Sequence, residues 1–291
     1  MRCDNCNADN LRSAEGEDKG LKSHIYSFKI FIIINKKMPT PHQIKSMKSH
    51  QKIAMLTAYD FPMARLMDDI VDIILIGDSL GMVVLGYENT TKVTMEDIAR
   101  ATSAVARGAK NVLIVGDMPL GAYDNEKTAL KNANLLLKAG AHAVKIENKP
   151  EIADFLVKNG IDVMGHIGLT PQTITNFKVQ GKDEEAAKRL IGLAKACDKA
   201  GCFSLVLECI PLGLAKKITE EISIPTIGIG AGIYCDGQVL VTHDILGLFS
   251  AFKPKFVKRY ADIGSIMKKA FEQYTKEVRE GKFPSDEFSF H

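Results

Sequence analysis

A chain of 291 residues can form one large α/β domain or two ordinary ones, and its 46% hydrophobic content is ample for a buried core. Its 38 basic and 35 acidic side chains nearly cancel to a net +3, which gives no basic face broad enough for nucleic acid, and no stretch reaches the roughly 18 apolar residues of a membrane span. The expected partner is a small molecule.

Residues 1–37 differ from all that follows. They begin polar and mixed in charge, then run into Ile25 to Ile34, an apolar stretch broken by Lys29. Acids at Asp4, Asp9, Glu15, Glu17 and Asp18, with no small-residue cleavage site, argue against a secretory signal or a transit peptide. The expectation is a poorly ordered extension, with folding information starting near Met38. Cys3 and Cys6 form a lone Cys-x-x-Cys; with no second pair downstream, two free thiols are the simpler reading than a zinc site. Cys197, Cys202, Cys209 and Cys235 lie in or beside core-like segments, as suits reduced thiols in a cytoplasmic enzyme.

From residue 53 strand-like and helical patterns alternate. Ile53 to Thr57 precedes a helical pattern from Asp60 to Asp69, and Ile73 to Gly77 precedes a helix opening near Thr94, which forms a capping-box-like pair with Asp97. Val112 to Gly116 precedes Asn125 to Ala139, Ala141 to Ile146 precedes Pro150 to Lys158, and Asp162 to His166 precedes Asp183 to Ala200. Phe203 to Glu208 leads to Leu212 to Glu221, then Ile224 to Gly230, with a last run at Val239 to Val241 or Ile245 to Phe249. Gly108, Gly140, Gly160 and Gly201 stand where helices would end in a left-handed turn. Eight such units allow a closed (β/α)8 barrel or an open doubly wound sheet. Asp78 and Gly228 lie 150 residues apart across five units, about 30 each, which fits the barrel, as do polar groups recurring at the ends of strands two to six.

Four of those polar groups are acids: Asp78, Asp117, Glu147 and Glu208 each follow an apolar, β-branched run. On parallel strands they share one rim, where their mutual repulsion calls for a cation, with one acid left as a general base. An Asp after a strand is commonly a turn former or helix cap; the same placement on three successive strands favours a metal site, and oxygen-only donors point to Mg²⁺. Lys145 lies two residues before Glu147, on the same strand face. It suits a structural ion pair or the binding of a substrate carboxylate, and a metal makes the alternative Schiff base unnecessary. His166 shares the rim and is equally consistent with a hydrogen-bonded core residue. Glu208 is flanked by Leu207, Cys209 and Ile210-Pro211; partial desolvation makes a carboxylate a better proton acceptor, so it is the candidate base. The run Ile227-Gly228-Ile229-Gly230-Ala231-Gly232 lacks the helix a dinucleotide fingerprint needs, and close backbone approach at the rim is the better reading.

With these segments placed, the chain from about Met38 onward resembles the ketopantoate hydroxymethyltransferase family. The resemblance rests on TAYD (57–60), GDSLGMV (77–83), GDMP (116–119), VKIE (144–147), GHIGLTPQ (165–172), KVQG (178–181), LEC (207–209), IGIGAG (227–232) and CDGQVLV (235–241), all in order. It implies a (β/α)8 TIM barrel of the phosphoenolpyruvate/pyruvate superfamily that forms 2-dehydropantoate from 3-methyl-2-oxobutanoate and 5,10-methylenetetrahydrofolate, for pantothenate biosynthesis. It further implies that Asp78 and Asp117 ligate Mg²⁺, with Glu147 completing the site through water. Ser79, Lys145 and His166 would hold the 2-oxo acid, which also meets Asp78 and Asp117 through the ion, and Glu208 would be the base. A homodecamer is implied as well.

Some positions depart from the family. Asn148-Lys149 replaces a usual pair of glycines, which leaves the course of the fourth loop open; Ala101 and Phe288 stand where His is common, and residues 1–37 have no counterpart. Two rival readings are a carbon-carbon lyase or mutase of the same superfamily, which usually brings a Cys from the fifth-strand region, and a non-catalytic metabolite-binding barrel, which would need no base at Glu208. GHIGLTPQ contains no such Cys.

Overall fold

The computed structural model describes residues 38–172, 179–249 and 254–291. The expected poorly ordered extension and the Cys3/Cys6 pair lie outside the described residues.

Eight strands form the sheet: β1 (Ile53–Thr57), β2 (Ile73–Ile76), β3 (Leu113–Asp117), β4 (Ala143–Glu147), β5 (Val163–Gly168), β6 (Ser204–Glu208), β7 (Thr226–Ile229) and β8 (Gly237–Leu240). Every neighbouring pair is parallel, and β8 pairs back onto β1, closing the barrel. The ambiguity over the last strand resolves in favour of the earlier run, since Thr242–Ile245 is a short helix.

Helix boundaries follow their caps. Thr94 Oγ1 accepts from the Asp97 N–H at 3.2 Å while Asp97 Oδ2 accepts from the Thr94 N–H at 3.0 Å, so the first turn of Met95–Gly108 has its donors satisfied reciprocally. Asn125 and Asp183 cap Glu126–Ala139 and Glu184–Lys199 on one side only, each accepting from the backbone N–H of the third residue on. Gly140, Gly160 and Gly201 take the expected positive φ. Gly108 does not: a Cβ there would lie 2.5 Å from the Phe61 carbonyl oxygen, so this glycine serves close packing between helices rather than a left-handed turn.

Two buried clusters divide the apolar residues by strand face. Ile53, Met55, Ile73, Leu75, Leu113, Val115, Ala143, Met164, Val206, Ile227 and Val239 fill the barrel, joined at its lower end by Ile44 from the short helix Pro41–Ser46. Ile74, Ile114, Val144, Ile146, Leu205 and Leu207 point outward to the helices. Continuing the inward rows by twos along each strand leads from this apolar floor to Asp117, to Lys145 and Glu147, to His166 and to Glu208. Strand alternation alone therefore delivers a charged layer to the C-terminal mouth.

The wall is unevenly covered. Residues 230–236 link β7 to β8 with no helix between them, and the helix Ile263–Arg279 buries none of its residues.

Candidate active site

Strand register dictates which charges meet. Asp117 is the cross-strand partner of Lys145, and Lys145 Nζ donates to both Asp117 oxygens at 2.7 Å. Glu147 is the partner of His166, and His166 Nδ1 lies 2.9 Å from Glu147 Oε1. The chain of charges runs on at both ends. Lys145 Nζ is 3.6 Å from Glu147 Oε1, and His166 Nε2 is 3.2 Å from Glu208 Oε2, close enough for ion pairing but out of line for a good hydrogen bond. Asp78, just past β2, donates its backbone N–H to Asp117 Oδ2 at 3.3 Å.

All of these groups except Glu208 are buried, and the electrostatics follow. Burial and the neighbouring Asp117 push the Asp78 carboxyl up to about 8. Burial would lower the Lys145 ammonium, yet Asp117, Glu147 and Asp78 outweigh it and hold it well above its ordinary value. Burial opposes ionisation of Glu147 too, but His166 and Lys145 prevail and keep it below the usual carboxylate range. His166 is raised to about 9: burial works against its charge, and the Glu147 carboxylate reverses that. Glu208, 16% exposed at its side chain, is the carboxylate open to the mouth.

The backbone around Glu208 is specialised. Cys209 follows with φ +48°, held by its N–H to Ile229 O at 2.9 Å and by the Gln180 N–H to its own carbonyl at 2.9 Å. Gly168 has φ +106°, and a Cβ there would collide with the Glu208 carbonyl, to which the Leu169 N–H donates at 2.8 Å. Asn148, where the family departure left the fourth loop open, takes φ +52° and donates from Nδ2 to Thr170 Oγ1 at 2.9 Å. Asparagine tolerates this left-handed turn better than most residues. The glycine run 227–232 sits in close quarters as expected, with a Cβ at Gly230 falling 2.8 Å from the Phe256 ring.

Of the seven residues singled out in the sequence, Asp117, Lys145, Glu147, His166 and Glu208 form one continuous charged chain and Asp78 joins it through its backbone. Ser79 sits beside it, its hydroxyl 2.7 Å from Tyr59 Oη. The sequence reading passed over Tyr123 and Gln172. Tyr123 Oη donates to Gln172 Oε1 at 2.7 Å and accepts from the Glu147 N–H at 3.2 Å, while Gln172 Nε2 donates to Met118 O at 3.1 Å. This pair ties the loops after β3 and β5 across the end of β4. Gln172 closes a quoted motif and could have been flagged; Tyr123 lies in an irregular loop with no signal of its own.

The donor set suits a hard cation. Among the described residues, Asp78 Oδ2 and Glu147 Oε2 are buried with no hydrogen-bond partner, and the four carboxylates face only Lys145 and His166 as cations. Among the described residues no three carboxylate, imidazole or thiol groups already converge on one point, because Asp117 closes on Lys145 instead.

Comparisons with known proteins bear on this arrangement. A family model described as ketopantoate hydroxymethyltransferase matches residues 38–286. A protein of Clostridium kluyveri named 3-methyl-2-oxobutanoate hydroxymethyltransferase is 55% identical over 256 residues, covering 85% of this chain and 91% of its own. One of the same name from Clostridium botulinum strain Langeland is 56% identical over 249 residues, covering 82% and 90%. Among solved structures, a 2,3-dimethylmalate lyase titled as a PEP mutase/isocitrate lyase superfamily member matches with a TM-score of 0.57 at 13% identity over 87% of this chain and 89% of its own, a likeness of fold alone.

Proposed function

Because the chain belongs to the ketopantoate hydroxymethyltransferase family, we propose that it is a 3-methyl-2-oxobutanoate hydroxymethyltransferase acting in pantothenate biosynthesis. The reaction joins 3-methyl-2-oxobutanoate, 5,10-methylenetetrahydrofolate and water, giving 2-dehydropantoate and tetrahydrofolate. The observation that carries the reading is the charged layer itself: an open carboxylate, Glu208, at one end of a buried chain in which Asp78 Oδ2 and Glu147 Oε2 are unpartnered.

Asp78, Asp117 and Glu147 would hold Mg²⁺. When bound, the ion would draw electron density from the keto and carboxylate oxygens of the oxo acid and so acidify its C3–H. Ser79 donates to the acid through its hydroxyl. Lys145 supplies positive charge, although two of its three hydrogens are engaged by Asp117, leaving the one toward Glu147 the freest to shift. Glu208 takes the C3 proton, with His166 beside it to steady the carboxylate before transfer and to accept its reorientation afterwards. The C3 carbon then bonds to the one-carbon unit supplied by the folate; the bonds from that unit to the two folate nitrogens are broken, water supplies the hydroxyl, and the nitrogens take up protons as tetrahydrofolate leaves.

Self-association is part of the proposal. The helix Ile263–Arg279 exposes Met267, Phe271, Tyr274 and Val278 on one stripe, a surface that a second copy would cover. We also place the enzyme in the cytoplasm; free thiols at Cys197, Cys202, Cys209 and Cys235 support a reducing compartment. No described helix is long and apolar enough to cross a membrane. The test is formation of 2-dehydropantoate from 3-methyl-2-oxobutanoate, dependent on both Mg²⁺ and 5,10-methylenetetrahydrofolate. Turnover that needs no folate would favour the lyase or mutase reading, and no turnover the binding barrel.

A further inference from the structure

At the mouth the β3–β4 ladder is interrupted between two of the proposed ion ligands. Its last rung pairs Asp117 with Lys145, and the Met118 N–H then donates to Lys145 O at 3.0 Å. In a parallel ladder the next bond runs from the Glu147 N–H to the Met118 carbonyl. Each of these two groups bonds to a side chain instead. The Glu147 N–H donates to Tyr123 Oη at 3.2 Å, Tyr123 Oη donates to Gln172 Oε1 at 2.7 Å, and Gln172 Nε2 donates to Met118 O at 3.1 Å.

The two backbone ends fix every direction in this path. The Met118 carbonyl only accepts, so the amide nitrogen of Gln172 faces it and the amide oxygen faces Tyr123. That oxygen also only accepts, so the phenol gives it its hydrogen, and the Glu147 N–H, which only donates, meets a phenol lone pair. A direct rung would satisfy both backbone groups with no side chain, so what Tyr123 and Gln172 add is separation: a hydroxyl and a carboxamide stand where one bond would close the strands. Both side chains are buried, at 6% and 3% exposure. The insert is also braced, since Asn132 Nδ2 from the helix Glu126–Ala139 donates to Ala122 O at 2.8 Å, one residue before Tyr123. Its two anchor points are Glu147 itself and Met118, the residue directly after Asp117. The gap it sets is therefore the gap between those two acid-bearing strand ends, which Lys145 Nζ spans at 2.7 Å from Asp117 Oδ1 and 3.6 Å from Glu147 Oε1.

We propose that Tyr123 and Gln172 are positioning residues for the metal site: inserted between the ends of β3 and β4, they set the spacing of the Asp117 and Glu147 carboxylates to suit an ion of the size of Mg²⁺. The inference rests on the proposed ligation of Mg²⁺ by those two acids. Mg²⁺ demands nearly ideal octahedral geometry at about 2.0–2.1 Å, whereas Ca²⁺ accepts looser sites at about 2.3–2.6 Å, so loss of the insert should weaken Mg²⁺ binding more than Ca²⁺ binding.

The test titrates MgCl₂ or CaCl₂ calorimetrically into the full-length protein, Tyr123→Phe, Gln172→Met and the double variant, with no oxo acid or folate present. Each single variant breaks the path and is expected to weaken Mg²⁺ binding about tenfold and Ca²⁺ binding less than about threefold. The double variant should match the singles, because one break already frees the strand ends. Unchanged Mg²⁺ affinity in the variants, or losses that multiply in the double variant, would overturn the insert as a spacer; so would an equal loss for both ions, the mark of a merely structural pair. If Tyr123→Phe does not fold, Gln172→Met decides by the same ratio of Mg²⁺ to Ca²⁺ affinity. Binding is read without turnover, so a wild-type protein that takes up Mg²⁺ and forms no 2-dehydropantoate sinks the transferase reading and leaves the ratio to decide the insert. Product formation by the wild type, with the ratio unaltered in the variants, overturns the insert alone. A wild-type protein that binds neither ion overturns the insert together with the metal site.

Discussion

The barrel mouth and the C-terminal helix break the ordinary rule of burial in opposite directions. At the mouth, Asp78, Asp117, Lys145, Glu147 and His166 are charged or polar and nearly inaccessible; along Ile263–Arg279, Phe271 and Tyr274 are apolar or aromatic and more than half exposed. Burying charge is costly unless it is paired, and exposing a contiguous apolar stripe is costly unless something covers it. Both regions are thus incomplete by themselves, and each names its complement by chemistry. The mouth has more negative than positive groups and two unpartnered carboxylate oxygens, so it wants a cation and an anionic ligand that can share it. The helix has spare apolar surface, which the proposed second copy would cover. The difference lies in how far each satisfies itself meanwhile: Lys145 and His166 bridge most of the acids, while on the helix Tyr274 meets the Phe283 ring edge-on at 5.6 Å and Met267 and Phe271 stay exposed.

That contrast is broken most forcefully at Lys145. Replacing it with Met of similar reach leaves Asp117 facing Glu147 in a buried site with no ammonium between them, so stability should fall by about 3–5 kcal/mol in urea unfolding. Mg²⁺ should then recover part of the loss, more than it adds to the wild type. A Lys145→Met protein as stable as wild type would mean that the ion pair does not hold the mouth together.

Glu208→Gln separates chemistry from this internal pairing. Glu208 sits at the open end, touching the cluster only through His166, so the amide should fold normally. Exchange of the C3 proton of 3-methyl-2-oxobutanoate with solvent should slow by about 10³, roughly 4 kcal/mol of barrier, with Mg²⁺ binding largely intact. Retained exchange, followed by NMR in D₂O, would remove Glu208 as the base.

The reasons for reading this much from sequence are visible at the same residues. Period-two alternation placed Lys145 and Glu147 on one face, and the ends of β3 and β4 fell within a residue or so of the apolar runs, because strands buried on both faces admit few other residues. The Asp117–Lys145 and Glu147–His166 pairings were not legible, since register between strands depends on barrel shear, which no local pattern encodes. Glu208 illustrates a second limit. Its apolar neighbour Leu207 points outward into the helix layer, so the carboxylate's true neighbour is His166, 42 residues away in the chain. Gly108 illustrates a third, for a helix-end glycine can answer to a partner helix as well as to its own terminus.

The helix side of the comparison is sharpened by Phe271→Asp. An exposed side chain changes the stability of a single chain by only about 0.5 kcal/mol, yet a charge in the middle of the stripe should disfavour any surface packed over it. Sedimentation velocity should show a shift to smaller species than wild type at equal concentration, while circular dichroism of the variant stays unchanged. An unaltered sedimentation coefficient would show that the stripe is not where copies meet.

Removal of residues 1–37 should have the smallest effect, none on either region. The family match begins at residue 38, and the first described helix carries its own start signal: Gln43 N–H donates to Thr40 Oγ1 at 3.2 Å, and Thr40 N–H donates to Gln43 Oε1 at 2.8 Å. With that capping box intact nothing upstream is needed to satisfy the first turn. Ile44, fully buried, still closes the barrel floor from within Pro41–Ser46. A protein beginning at Met38 should therefore match the full chain in melting temperature and in kcat/KM for the oxo acid. A drop in both would place part of the fold before Met38, and a drop in kcat/KM alone would extend the mouth to a segment that the family does not share.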